Sequence, residues 1–275
     1  MARPFDKQAE IYVEARPTYQ AEIYVEARPT YPKEWYSKLA ALTPQHSLAW
    51  DVGTGSGQAT VGLLEHYDQV VGSDISEAQL NHAIQHPRVR YVHTPTSISD
   101  DEMVDLIGGG HENSVDLITV ATAVHWFDLP RFYSLVKRLL RKPGGIIAVW
   151  SYSSMDNMVI SPDFDLAMKR LHENCIPFWD PRAKYAFEGY RTLPFPFESV
   201  GLGREGEPIT LEIPRELSFQ GVERMLRSYS VVTTAKDQGV DLLSEDVIKE
   251  LQRAWGGHDL IRSVTIKACM LVGKL

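Results

Sequence analysis

Cysteine is scarce. The 275 residues contain only Cys175 and Cys269, far apart in the chain. That excludes a disulfide framework, and since neither has metal-ligand spacing around it, a zinc knuckle too. Two reduced thiols are the usage expected of a cytoplasmic protein. Positive charge is also short, with 28 Lys and Arg against 36 Asp and Glu, a net charge of -8. A nucleic-acid partner is disfavoured, because such binders carry a clustered basic face. The local patch Lys137, Arg138, Arg141 and Lys142 reads as the solvated face of one helix. No apolar run approaches the roughly 18 residues that cross a bilayer. The start MARPFDKQAE lacks the apolar stretch of a secretory signal. The expectation is a soluble, unsecreted chain with no membrane partner. With 44% hydrophobic and 23% charged residues, a largely disordered, collagen-like or coiled-coil chain is excluded as well.

One feature present is unusual. QAEIYVEARPTY at 8–19 recurs unchanged at 20–31. Solenoid repeats run at about 20 to 50 residues and need three or more copies, so this is a recent insertion or an artefact rather than an architecture. The second copy runs directly into PKEWYSKLAALT, where Pro32 suits a first helical turn and Trp35, Leu39 and Leu42 share a face. It therefore has the better claim to the native position.

From residue 48 the pattern alternates: LAWDV, a glycine turn, the helical QATVGLLEHY, QVVGSDI, then SEAQLNHAIQH opening on a Ser76/Gln79 capping box. Apolar runs follow at VRYVH, VDLITVA and GIIAVWSY, with the helix LPRFYSLVKRLLR between the last two. Alternation of this kind predicts a parallel sheet. PITLEI and SVTIKACMLVGK read as added strands, flanking helices at SFQGVERMLRSYS and SEDVIKELQRAW. The segment 153–207 is rich in proline and aromatics, Phe178, Trp179, Tyr185, Phe187, Tyr190, Phe195 and Phe197 among them. A long insertion between sheet strands is commonly a lid or binding loop; a satellite hydrophobic cluster packed on the sheet is the alternative. The expected organisation is one α/β domain over 1–275. It comprises an N-terminal cap at 1–46, a cofactor-binding core at 47–152, a lid at 153–207, and final strands and helices at 208–275.

The turn Asp51-Val52-Gly53-Thr54-Gly55-Ser56-Gly57 follows a strand and opens a helix, where an open α/β sheet brings its backbone closest to a ligand. It is not a dinucleotide fingerprint: the glycine required as the sixth position is Gln58 counted from Gly53 and Thr60 counted from Gly55. The pattern is acid-x-G-x-G-x-G. An acid at that strand end suits a cationic ligand head better than a pyrophosphate.

With DVGTGSG at 51–57, VVGSDIS at 70–76, VDLITVATAVHWFD at 115–128 and LLRKPGGIIAVW at 139–150, the chain resembles the class I S-adenosylmethionine-dependent methyltransferases. Within them it resembles the small-molecule group with a methyltransferase type 11 domain. The resemblance implies a Rossmann-like, seven-stranded, mostly parallel sheet with helices on both faces, capped by the N-terminus and the 153–207 insertion. It implies S-adenosylmethionine as cofactor. Gly53, Thr54, Gly55 and Gly57 would line its methionine and ribose side, with Asp51 near its amino group and Asp74 accepting both ribose hydroxyls. Ile75 would lie against the adenine and Thr96 and Ser97 at its edge. Ala121, Trp126, and Tyr24 and Arg28 of the N-terminal element would complete the cofactor site. His125 would stand between cofactor and acceptor, either as a base for a hydroxyl acceptor or as a structural member of His-Trp-Phe-Asp. The acceptor is expected to be an apolar, aromatic or carboxylate-bearing small molecule, with Arg28, Arg182 or Arg191 available to a carboxylate.

Other constellations read as weaker. His82 and His86 are four apart, but no glutamate follows His82 directly and no third ligand is apparent, so they read as surface histidines. A hydrolase elbow fails because G-T-G-S-G places its serine one position late. The remaining alternatives are a nicotinamide oxidoreductase on a similar sheet and a methyltransferase-like binder without turnover.

Overall fold

A computed structural model describes residues 29–152, 160–204 and 206–275. The first copy of the duplicated segment and most of the second, Tyr24 and Arg28 included, lie outside the described residues. Pro32 precedes helix α1 (Lys33–Ala40), which turns Trp35, Tyr36 and Leu39 inward. Strand β1 (Leu48–Val52) leads through the glycine turn into α2 (Thr60–Leu63), followed by β2 (Gln69–Asp74), α3 (Glu77–Asn81), β3 (Val89–His93) and α4 (Asp100–Gly108). Next come β4 (Leu117–Ala121), a short 3-10 turn at Val124–Trp126, α5 (Leu129–Leu139) and β5 (Ile146–Tyr152). The second half holds α6 (Pro162–Cys175), 3-10 turns at Ile176–Phe178 and Pro181–Ala183, α7 (Lys184–Phe187) and β6 (Glu198–Ser199). It ends with β7 (Ile209–Leu217), α8 (Phe219–Arg227), α9 (Ser230–Asp237), α10 (Glu245–Trp255) and β8 (Arg262–Lys274).

The five early strands are parallel in the order β3-β2-β1-β4-β5, and the chain reverses direction across the sheet between β1 and β4. Strand β8 then pairs antiparallel with β5 on one side and with β6 and β7 on the other. Seven strands are legible in the sequence; the eighth, β6, is a two-residue contact of Glu198 and Ser199 with Lys274 and Gly273, too short to leave a pattern.

Both faces of the sheet are covered. Along β5, Ile146, Ala148 and Trp150 pack with α1, α2 and α6, whereas Ile147 and Val149 pack with α4 and α5. A strand buried on both faces takes apolar side chains at nearly every position, and in β5, where all seven residues are buried, Ser151 is the exception. Helix α4 begins at a capping box in which Ser99 accepts from the Glu102 amide and Glu102 accepts from the Ser99 amide, a signal that the sequence reading passes over. Helix α3 is shorter than expected. Its continuation is diverted when the Ile84 amide donates to the Ser56 carbonyl at 3.2 Å, tying the chain back to the glycine turn. His82 ends the helix and His86 lies beyond it, so the two do not share a helical face.

The segment 160–204 is folded rather than loose. Ser161 caps α6, and Phe164 sets its ring against Trp255 of α10 with centroids 5.3 Å apart. Farther on, Tyr190, Leu193, Phe195 and Phe197 cover the opposite face of the sheet beside α5.

Candidate active site

Gly53, Gly55 and Gly57 all have left-handed φ, 65°, 57° and 87°. At Gly53 a Cβ would also lie 2.7 Å from the Ala123 Cβ, so the turn can approach the segment after β4 only with glycine there. Beneath the turn Asp51 is fully buried. Its Oδ1 accepts from Thr119 at 2.7 Å, and its Oδ2 from Thr54 at 2.8 Å and Thr60 at 2.7 Å. Burial raises its pKa, the three hydroxyls oppose that shift, and the Asp74 charge adds to it. The Asp51 carboxylate therefore orders the turn from below.

Asp74 stands at the carboxyl end of β2. Its Oδ2 accepts from the Gly55 amide at 2.8 Å and its Oδ1 from the Ser76 amide at 2.9 Å, so one carboxylate joins the glycine turn to the start of α3. Ile75 is half-buried, and its carbonyl oxygen lies 2.9 Å from His93 Nε2. The Thr94 amide donates to the Asp74 carbonyl at 2.9 Å, which brings the exposed Thr96 and Ser97 to the same rim. Across the reversal point Ala121 ends β4 in register with Trp150, and Thr122 takes φ 55° before the turn that carries His125 and Trp126. The described candidates thus gather along the carboxyl edges of β1 to β4, where open α/β sheets bind ligands.

His125 is 6% exposed. Its Nδ1 lies 3.1 Å from the Tyr190 hydroxyl, and its ring packs against Trp126 with centroids 4.6 Å apart. Burial lowers its pKa to about 4; the nearby Arg182 charge lowers it further and Asp180 opposes. The imidazole is therefore neutral near pH 7.

Two expectations need correcting. Arg182 is engaged: Nε and Nη2 bond both Asp180 oxygens at 3.0 and 2.8 Å, Nη1 donates to the Trp126 carbonyl at 3.2 Å, and the guanidinium stacks on the Trp126 ring. An acceptor carboxylate would have to displace Asp180. Of the Ser76/Gln79 capping box only half forms: Ser76 Oγ accepts from the Gln79 amide at 3.4 Å, while neither atom of the buried Gln79 carboxamide has a hydrogen-bond partner. The carboxamide oxygen points toward Gly55, 3.9 Å from where a Cβ there would lie. Gln79, Tyr190 and Asp180 escaped sequence reasoning as site residues. Gln79 occupied the place of a capping residue, and Tyr190 meets His125 across 65 residues of chain with no periodic signal.

The methyltransferase domain family matches residues 50–149, the span from β1 to β5. A protein of Dictyostelium discoideum named as a methyltransferase is 33% identical over 235 residues, covering 84% of this chain and 83% of that protein. The chain belongs to the class I S-adenosylmethionine-dependent methyltransferases. A solved structure from Anaeromyxobacter dehalogenans, described as a type II methyltransferase, is 32% identical. It covers 90% of this chain and 97% of its own, with a TM-score of 0.73. The methyltransferase ptaI of Pestalotiopsis fici is 33% identical over 116 residues, 40% of this methyltransferase but only 33% of its own length. The shared span sets aside the nicotinamide alternative.

Proposed function

We propose that this methyltransferase uses S-adenosylmethionine as donor and methylates a small molecule, with oxygen, in a hydroxyl or a carboxylate, as the favoured acceptor atom. Asp74 carries the reading. It is a carboxylate at the carboxyl end of β2, bonded to the Gly55 amide of a turn built from three left-handed glycines. That pairing suits a nucleoside: the carboxylate accepts two ribose hydroxyls, and bare peptide units face the rest. Gly53, Thr54, Gly55 and Gly57 would hold the methionine and ribose side, Ile75 the adenine face, and Thr96 and Ser97 its edge. Ala121 and Trp126 would close the methyl side, with Tyr24 and Arg28 supplied by the N-terminal element. Asp51, expected near the cofactor's amino group, is fully buried among three threonine hydroxyls and would instead order the turn from beneath.

When bound, the cofactor supplies a methyl group already activated on a sulfonium. The protein then has to align the acceptor and exclude water. His125, packed against Trp126, is the catalytic candidate. A hydroxyl acceptor must lose a proton, and an imidazole with a pKa of about 4 is a weak base for that. A carboxylate attacks as it stands and fits this neutral imidazole better. With Arg182 held by Asp180, Arg28 and the exposed Arg191 remain available to a carboxylate on the acceptor.

S-Adenosylhomocysteine should bind one to one by calorimetry and raise the melting temperature by mass action. Asp74→Ala should weaken that binding at least tenfold, about 1.4 kcal/mol, consistent with loss of charge-assisted hydrogen bonds. Equal binding by the variant would refute the assignment. Incubation with labelled S-adenosylmethionine and a metabolite extract would capture the acceptor.

A further inference from the structure

Tyr190 sits where an aromatic residue is least at ease. Its φ is 60°, in the left-handed region, directly after Gly189 at 62°. The two residues close α7: the Gly189 amide donates to the Ala186 carbonyl at 3.1 Å and the Tyr190 amide to the Tyr185 carbonyl at 2.8 Å. Closures of this kind often use one left-handed residue, normally glycine, and the following position needs no second. Strained backbone of this kind persists where surrounding structure over-determines it, and it clusters at functional sites. Here the consequence of the strain is specific. It sends the Tyr190 ring into the core, 1% exposed, and delivers its hydroxyl to His125 Nδ1 at 3.1 Å.

The direction of that hydrogen bond decides what His125 can do. A phenol is the stronger proton donor of the two groups and an imidazole nitrogen the stronger acceptor, so the matched arrangement is O–H of Tyr190 donating to Nδ1. Burial raises the pKa of the phenol, which keeps its proton for Nδ1, and the nearby Ser151 side chain opposes that shift. The proton of a neutral histidine then resides on Nε2, because the bond made by one ring nitrogen fixes the state of the other.

We propose that Tyr190 is a positioning residue that locks His125 in the Nε2–H tautomer, so that the imidazole offers the acceptor a hydrogen-bond donor and not a base. The proposal rests on the methyl-transfer reading for its role in turnover, but not for the tautomer itself. The 153–207 insertion thereby gains a definite role, since one of its side chains sets the chemical state of a residue after β4. The charged and titratable groups bearing on the pair are Asp180 and Arg182 on His125, and Tyr133 and Cys269 on Tyr190. Asp180 and Arg182 form an ion pair with each other, and burial holds the Cys269 thiol at a pKa of about 11, so their charge states do not change near neutral pH.

The test is nitrogen NMR of the full chain labelled with ¹⁵N in histidine, the His125 signals being assigned by their loss in His125→Gln. Near pH 7 the wild type should show a pyrrole-type Nε2 and a hydrogen-bonded, pyridine-type Nδ1. Tyr190→Phe, which keeps the ring, should lose the single tautomer and lower kcat by about tenfold to a hundredfold while S-adenosylhomocysteine affinity is retained. A protonated Nδ1 in the wild type, or the same tautomer in Tyr190→Phe, would overturn the proposal. Should Tyr190→Phe not fold, the wild-type spectrum alone decides. Failure of S-adenosylhomocysteine to bind the wild type would instead strike the donor assignment and leave the tautomer result standing.

Discussion

Asp51 and Gln79 both support the glycine turn from inside the molecule, and they differ in whether their polar atoms are matched. Asp51 receives three threonine hydroxyls. Gln79, 3% exposed, has partners for neither its oxygen nor its nitrogen. A buried polar group without a partner costs about 1 to 3 kcal/mol, and replacing it by an apolar group of the same shape removes that cost. Gln79→Met should therefore raise unfolding stability without ligand by about 1 kcal/mol or more, read as a higher urea midpoint at unchanged slope. A lower midpoint would show that the carboxamide is satisfied in solution. At this scale the sequence was legible where the chemistry is contiguous: DVGTGSG and Asp74 meet as read, through the Gly55 amide. It was illegible where partners are brought together only by tertiary packing. No spacing announces that Tyr190 reaches His125, or that Arg182 is already held by Asp180.

Elements with one strong period were found, and elements carrying conflicting signals were missed. LITVA and IIAVWSY are apolar runs broken only by Thr119 and Ser151, and they form β4 and β5. SVVTTAKD is a helix, α9, despite four consecutive β-branched residues that favour strands. It helix-packs because Val231 and Ala235, four apart, are both buried. The insertion hides its structure similarly, since its prolines at 162, 177 and 181 start helical turns and were read as loop signals. Helices α6 and α10 form one clamp: Trp255 is fully buried, meets Phe164 edge-on and donates its indole N–H to the Leu260 carbonyl at 2.8 Å. Trp255→Ala should cost about 3 to 5 kcal/mol in denaturant unfolding, the range for deleting a large buried aromatic. Because the clamp lies away from the glycine turn, the folded fraction should bind S-adenosylhomocysteine as the wild type does. A matching loss of affinity would show that the clamp and the turn are coupled.

Across the whole molecule the sheet separates two packed layers. Helices α1, α2, α6, α8, α9 and α10 fill one side; α4, α5 and the stretch from Tyr190 to Phe197 fill the other. His125 belongs to the second layer, enclosed between the strand edge and the insertion, and this enclosure ties global stability to pH. Its folded pKa is about 4, depressed first by burial and then by Arg182, against an ordinary value of about 6.5 in the unfolded chain. The unfolded chain thus takes up the proton more readily. Stability associated with the neutral imidazole is complete above about pH 6.5 and is lost as pH falls through about 4. Between about pH 7 and pH 4.5 the loss is on the order of 2 to 3 kcal/mol, since each pKa unit of difference is worth about 1.4 kcal/mol. Asp180, whose pKa is lowered by its bonds to Arg182, titrates below this window, but other carboxyl groups begin to take up protons at its acid end. The decisive quantity is therefore the difference between wild type and His125→Gln, which cannot take up that proton and keeps a side chain able to meet the Tyr190 hydroxyl. Urea unfolding of both at several pH values should show the wild type losing on the order of 2 to 3 kcal/mol more on acidification than the variant. Parallel curves would mean that His125 binds protons equally well folded and unfolded, and that the insertion does not enclose it.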